Sequence, residues 1–206
     1  MVVSDPASSL KLELCRILLK TGALKFGVFR LTSGKLSPYY IDLRVIPSFP
    51  KALRRIMDFY ETLAVEELKG RFDKIAGVPT SGIPFAAILA YKIDKPFIYV
   101  RKERKTHGIG RKIEGLLYPG EDVLIVDDLV TTGKSIVEAA EAIKAEGGET
   151  SNALVLIDRG EGGKERLEKV GVKLHAFISV KEAAELLYGM EAITKEQYEE
   201  ILKSRG

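Results

Sequence analysis

Val123-Leu124-Ile125-Val126-Asp127-Asp128-Leu129-Val130-Thr131-Thr132-Gly133-Lys134-Ser135 is the stretch whose reading decides the fold. Val123 to Val126 follow the turn-forming Pro119-Gly120-Glu121-Asp122 and read as a strand buried on both faces, as strands of parallel sheets do. Two adjacent carboxylates end it, and a short loop rich in hydroxyls and glycine follows. From Ser135 the apolar residues Ile136, Val137, Ala140 and Ile143 recur at helical spacing until Gly147-Gly148. The order strand, polar loop, helix predicts an α/β fold with an open, mostly parallel sheet flanked by helices.

Ligands of such sheets collect at the carboxyl ends of the strands, where a starting helix offers unpaired N–H groups and the positive end of its dipole. Thr131 to Ser135 therefore suit a phosphate. Asp127 and Asp128 would repel that phosphate but can accept hydrogen bonds from the vicinal hydroxyls of a sugar carrying it, and a phosphorylated ribose fits both halves. The plainer alternative makes one Asp a helix cap or turn residue. Gly133-Lys134-Ser135 imitates the end of a P-loop, but that motif needs a glycine where Asp128 stands, so a nucleoside-triphosphatase is disfavoured.

With 206 residues the chain reads as one domain, residues 1–206, with a substantial core. Hydrophobic residues at 46% and charged residues at 30% are ordinary for a soluble globular protein. A formal charge of +3, with its basic residues clustered locally, argues against nucleic acid as a partner. A single cysteine, Cys15, cannot form an internal disulfide, and no stretch approaches the ~20 apolar residues of a membrane span. The N-terminus lacks the features of a signal peptide, so the expectation is a cytoplasmic protein with no membrane partner.

Upstream, Ser8 or Ser9 caps an expected helix carrying Leu10, Leu14, Ile17 and Leu18 and ending near Gly22. Phe26 to Leu31 and Tyr39 to Leu43 read as a hairpin joined across Thr32-Ser33-Gly34-Lys35, either a hood over the sheet edge or a plain edge hairpin. Residues 1–45 form this N-terminal unit and 46–206 the α/β core. A helix is expected from Lys51 to Leu68, then a short strand Lys74-Ile75-Ala76 running into Gly77-Val78-Pro79-Thr80-Ser81-Gly82, a second candidate anion loop, and a helix from Ile83 to about Tyr91. The strand Pro96 to Val100 leads into a basic run, Arg101 to Lys112, with no apolar period. It reads as a long loop, either merely solvated or a cationic flap that closes over a polyphosphate. After a strand from Ala153 to Ile157, Arg159 opens a Gly-rich turn and is placed either to grip a planar carboxylate or to make a surface ion pair. His175, inside the last strand, Val172 to Val180, reads as a packed residue rather than a metal ligand. Two short helices, near Lys181 to Leu187 and Thr194 to Leu202, close the chain.

With these residues in view the chain resembles the type I phosphoribosyltransferases, whose phosphoribosyl-pyrophosphate signature looks like Val123 to Ser135. More narrowly it resembles the orotate phosphoribosyltransferases. That narrower likeness rests on Phe26-Gly27 through Ser33-Gly34, Ser37-Pro38-Tyr39-Tyr40, the run Arg101-Lys102-Glu103 to Lys105 and His107-Gly108, and Asp158-Arg159. The resemblance implies that Asp127 and Asp128 hold the ribose hydroxyls and that Thr131, Thr132, Gly133, Lys134 and Ser135 cradle the 5′-phosphate, with Leu129 and Val130 also among the residues binding phosphoribosyl pyrophosphate. Arg101, Lys102, Lys105 and His107 would serve the pyrophosphate, with Lys105 and His107 reaching the site of the neighbouring subunit of a homodimer. Arg159 and Thr131, near Tyr40 and Ile41, would hold orotate. Mg²⁺ is implied, carried largely by substrate oxygens and water rather than by protein ligands. Familiar bacterial members have lysine at the positions of Thr32 and Ser81 and threonine at that of Lys134.

The reaction so implied is attack by orotate N1 on the ribose C1 of phosphoribosyl pyrophosphate, through a cation-like ring, with pyrophosphate leaving. Lys105 and His107 are expected to stabilise the leaving group and Asp128 the developing positive charge. The rivals are a purine or uracil phosphoribosyltransferase and a non-catalytic sensor of phosphoribosyl pyrophosphate. A fused decarboxylase barrel is not expected, since it needs ~250 residues of its own.

Overall fold

The computed structural model describes residues 6–30, 34, 36–102 and 112–203. Helix α1 (Pro6–Thr21) leads into an antiparallel hairpin of β1 (Leu24–Arg30) and β2 (Leu36–Ile41), irregular between Phe26 and Phe29. Burial along β2 alternates, with Ser37, Tyr39 and Ile41 buried and Pro38 and Tyr40 half-buried, as one face of a pleated ribbon packs on the body. A 3-10 turn (Leu43–Ser48), capped by the Asp42 side chain, connects to α2 (Pro50–Thr62).

The sheet is built from β3 (Lys74–Gly77), β4 (Phe97–Val100), β5 (Ile113–Glu114), β6 (Val123–Val126), β7 (Leu129–Val130), β8 (Asn152–Asp158) and β9 (Lys173–Ser179). From one edge the strands run β5-β4-β3-β6-β8, with β7 on the same side of β8 as β6 and β9 on the other; all pairs are parallel except β4 with β5. Helix α3 (Gly82–Lys92) links β3 to β4, whereas α4 (Lys134–Ala145) links β6 and β7 to β8, on the other side of β6. The connections therefore diverge between β3 and β6, and in open α/β sheets that divergence opens the ligand crevice.

Two apolar layers cover the sheet. Leu124 and Val126 of β6 pack with α1, α2 and α3, and Val123 and Ile125 pack with α4 and the short α5 (Gly163–Glu168). This is why β6 reads as an unbroken apolar run. Helices α6 (Val180–Gly189), which starts on a capping box of Ser179 and Glu182, and α7 (Lys195–Lys203) close the first layer beneath the hairpin.

Four expectations need correction. The helix expected over Lys51 to Leu68 stays α-helical only to Thr62. It then widens into a π-helical turn, Leu63–Glu67, in which the Leu68 N–H bonds the Leu63 carbonyl at 3.2 Å. The loop expected after Asp128 contains β7: Ile125 and Val126 pair with Ala153 and Leu154, and Leu129 and Val130 with Ile157 and Asp158, in one unbroken register. Asp127 and Asp128 thus lie inside a strand pairing, with the Asp127 N–H on the Leu154 carbonyl and the Leu156 N–H on the Asp128 carbonyl, both at 3.0 Å. The far end of the Arg101 to Lys112 loop returns as β5, and α1 is already helical from Pro6, so Ser8 and Ser9 lie inside it rather than cap it.

Candidate functional site

The crevice forms because β3 stops pairing where β6 continues. The Val78 N–H still reaches the Val126 carbonyl at 3.1 Å, after which the chain turns away through Pro79-Thr80, joined by a cis peptide, into α3. The strand carrying Asp127 and Asp128 continues along β8 alone, so its other edge faces the opening.

The two carboxylates are only 7% and 6% exposed. Asp127 Oδ1 accepts the Asp128 N–H at 2.9 Å, and Asp128 Oδ1 accepts both the Leu129 N–H at 2.9 Å and the Ser81 hydroxyl at 3.0 Å. From α2, the buried Tyr60 hydroxyl donates to the Asp127 carbonyl at 2.8 Å. Burial, and then the neighbouring Asp128 charge, push the Asp127 carboxyl well above the usual carboxylate range. Asp128 is raised by burial as well, against which the side-chain hydrogen bonds with Asp127 and Ser81 work. Two buried acids so close share one charge most easily, and hydroxyl donors from a ligand would stabilise the second. Gly82 is a glycine for contact reasons: a Cβ there would lie 2.7 Å from Asp127 Oδ1 and 2.8 Å from the Val126 carbonyl oxygen.

Thr131 to Ser135 wrap the start of α4, whose cap, Gly133, has φ of 75°. A small hollow of about 50 Å³ is bounded by Asp127, Thr131, Thr132, Lys134 and Ser135, in reach of the free N–H groups of the first helical turn. The Lys134 side chain turns outward, three-quarters exposed, with Nζ 3.7 Å from Glu138. Its contribution to the hollow is therefore its backbone.

The Arg159 N–H bonds the Val130 carbonyl at 3.0 Å, which sets Arg159 next to the start of the phosphate loop. Its guanidinium is buried, 5.2 Å over the Tyr39 ring and with Nε 2.8 Å from Glu161, yet Nε–H finds no hydrogen-bond acceptor among the described residues. Tyr40 and Ile41 fall on opposite faces of β2. Tyr40 faces the Phe29 ring, centroids 5.6 Å apart, and accepts from Arg44 at 3.1 Å, whereas Ile41 packs into the core. Any part Ile41 plays in a ligand site is through its backbone.

Arg101 and Lys102 border a cavity of about 280 Å³ with Pro79, Lys112 and Ser135. Arg101 is held by Glu114 at 2.7 Å, and its N–H bonds the Lys112 carbonyl at 2.8 Å, so the two ends of the basic run are fastened together. Lys105, His107 and Thr32 lie outside the described residues. The sequence carries no signal for Glu161, assigns no site role to Tyr39 or Lys112, and leaves the role of Ser81 open. The period-2 pattern of β2 could have singled out Tyr39, but Ser81, Glu161 and Lys112 are placed by pairings distant in sequence. His175 packs as expected, Nε2 2.9 Å from Asn152 Oδ1. Among the described residues no three acidic, cysteine or histidine side chains converge as a metal cage.

Residues 46–185 match the phosphoribosyl transferase domain family. The chain is 45% identical over 176 residues, 85% of its length and 96% of the relative's, to an orotate phosphoribosyltransferase of Pyrococcus furiosus. Its fold matches the crystal structure of orotate phosphoribosyltransferase from Aeropyrum pernix with a TM-score of 0.73 at 35% identity, over 86% of this chain and 99% of that one. UMP synthase of Leishmania donovani matches with a TM-score of 0.82, also at 35% identity, over 94% of this chain, which spans 41% of that longer protein.

Proposed function

This chain belongs to the phosphoribosyl transferase family, among the orotate phosphoribosyltransferases, and we propose from that premise how its crevice works. The reaction transfers the 5-phosphoribosyl group of phosphoribosyl pyrophosphate to N1 of orotate, giving orotidine 5′-monophosphate and pyrophosphate, a step of pyrimidine nucleotide synthesis. The observation that carries the choice of base is Arg159, a buried guanidinium beside the phosphate hollow whose Nε lies 2.8 Å from Glu161 but whose Nε–H is aligned on no acceptor among the described residues. A planar carboxylate satisfies such a group, and orotate has one where uracil and purines do not.

The 5′-phosphate sits on the N–H groups at the start of α4, and the ribose hydroxyls donate to Asp127 and Asp128. The pyrophosphate lies toward the cavity bordered by Arg101 and Lys102. Orotate N1 attacks C1 as the C1–O bond to pyrophosphate breaks; the electron pair leaves with pyrophosphate, and the N1 proton passes to water. Buried carboxylates next to a ring gaining positive charge stabilise that charge, and Asp128, held by Ser81 from across the crevice, takes this role. Lys105 and His107, from the basic run, neutralise the leaving group, and in a homodimer they serve the partner's site.

The donor set suits a Mg²⁺ ion carried by substrate oxygens and water: acceptor oxygens lie beside the phosphate hollow, but the protein forms no closed cage among the described residues. Bound there, Mg²⁺ offsets the charge of the pyrophosphate. A cytoplasmic setting agrees with the buried free Cys15 and with the finding that no described helix is long and apolar enough to cross a membrane. The test is loss of orotate absorbance on mixing protein, orotate, phosphoribosyl pyrophosphate and Mg²⁺. Turnover with orotate and none with uracil or adenine is expected, and the reverse preference would overturn the reading.

A further inference from the structure

Ser81 belongs to the loop after β3, yet its hydroxyl crosses the crevice to a carboxylate on the neighbouring strand, 47 residues away in sequence. The contact is one of three that fasten these elements. The Val78 N–H holds the Val126 carbonyl at 3.1 Å, Gly82 leaves no room for a Cβ against Asp127, and the Ser81 hydroxyl meets Asp128 Oδ1 at 3.0 Å. The first two fix backbone to backbone. The third acts on a side chain, and it adds a second donor to the oxygen that the Leu129 N–H already holds.

Asp128 Oδ1 is then engaged twice, by the Leu129 N–H and by Ser81, and the neighbouring Asp127 carboxyl bonds the same side chain. A carboxylate with one oxygen held by two donors keeps its plane, and its second oxygen points one way. We infer that Ser81 is a positioning residue for Asp128, clamping Oδ1 so that Oδ2 is presented to the ribose. This rests on the proposed function only in naming ribose as the group presented to. Ser81 donates a hydrogen bond and brings no charge, so it supports a carboxylate and does not itself grip the pyrophosphate.

The inference is tested with a double-mutant cycle of Ser81→Ala and Asp128→Asn, with Ser81→Thr as rescue. The readouts are kcat and KM with orotate, phosphoribosyl pyrophosphate and Mg²⁺, and calorimetric binding of phosphoribosyl pyrophosphate with Mg²⁺ alone. Removing a hydrogen bond to a charged group should lower kcat/KM for phosphoribosyl pyrophosphate about tenfold. The orotate KM should stay within about twofold, and Ser81→Thr should recover most of the loss. In the Asp128→Asn background Ser81→Ala should change little further, because the two act as a unit. A Ser81→Ala enzyme with wild-type constants overturns the inference, and so does a second, independent tenfold loss in that background. If the wild type fails to turn over orotate, it is the proposed function that fails, and the same cycle on binding of phosphoribosyl pyrophosphate still decides the role of Ser81.

Discussion

Two cations are buried at opposite rims of the sheet, each against a carboxylate and over an aromatic ring. At the amino end of β3, Lys74 donates to Glu121 at 2.7 Å and to the Leu116 carbonyl at 2.5 Å, with Nζ 5.5 Å from the Tyr118 ring centre. At the carboxyl end of β8, Arg159 lies over Tyr39 with Nε 2.8 Å from Glu161, but its Nε–H is aligned on no acceptor among the described residues. The surroundings are alike in kind and differ in completeness. A satisfied buried cation is a fastening, here of the 115–121 segment to the sheet. One left short of acceptors in a folded protein costs stability, a cost that a ligand can remove.

The largest expected effect is at the incomplete cation. Arg159→Ala should raise the orotate KM about 100-fold, the scale of losing a charged, bidentate contact, and should move the melting temperature little. Steady-state kinetics on a folded variant checks this, and an unchanged KM would break the contrast between the rims. Lys74→Met should do the opposite. Stranding Glu121, itself partly exposed, should cost about 2 kcal/mol, or roughly 5 °C in thermal unfolding, with the orotate KM within about twofold.

Asp127 sharpens the comparison with a smaller effect. Its folded carboxyl titrates well above the ordinary value because of burial and then Asp128, while the unfolded one titrates near ~3.9. Below the unfolded value both states are protonated and ionisation costs nothing. As pH rises through the folded value the native state must ionise in a buried place, and stability is lost. Asp127→Asn should therefore melt higher than wild type by about 2 °C near neutral pH, with the advantage vanishing toward pH ~4, while activity falls. Melting curves at several pH values check the sign, and an advantage independent of pH would assign it to packing.

The chemistry of the crevice is legible in the sequence where it is local. Val123 to Ser135 holds its strand, its acids and its helix start within one short stretch, because apolar runs, adjacent carboxylates and glycine each leave a mark on their own neighbours. Leu129-Val130 reads as loop because two residues after two aspartates carry no strand signal; their pairing partners are Ile157 and Asp158. For β5 the reason is the same, as Ile113 and Glu114 are a strand only by leaning on Val100 and Tyr99. The π-helical end of α2 has the apolar spacing of an ordinary helix, and only the hydrogen bonds distinguish it. Arg159 stood out by residue type, but its ring and its carboxylate come from Tyr39, 120 positions upstream, and from the turn that follows. Ser81 looked like one more hydroxyl in a glycine-rich loop, and only the crevice reveals which group it faces.

Gly163, the first residue of α5, sits so close to the phosphate hollow that a Cβ on it would lie 2.6 Å from the Thr131 carbonyl oxygen and 2.6 Å from Val130 Cγ2. The turn after Arg159 and the phosphate loop thus meet at close range, Gly163 against the backbone of Thr131 and Gly133 and the side chain of Val130, with little room to absorb a change. For anyone re-engineering this scaffold to accept another base, the obvious segment to randomise, the one following Arg159, is not an independent cassette. Libraries that vary Gly160 and Glu161 but hold Gly163 leave the phosphate grip intact. Libraries that cross Gly163 would change the shared substrate along with the new one, and many of their members would be lost for reasons unrelated to base choice.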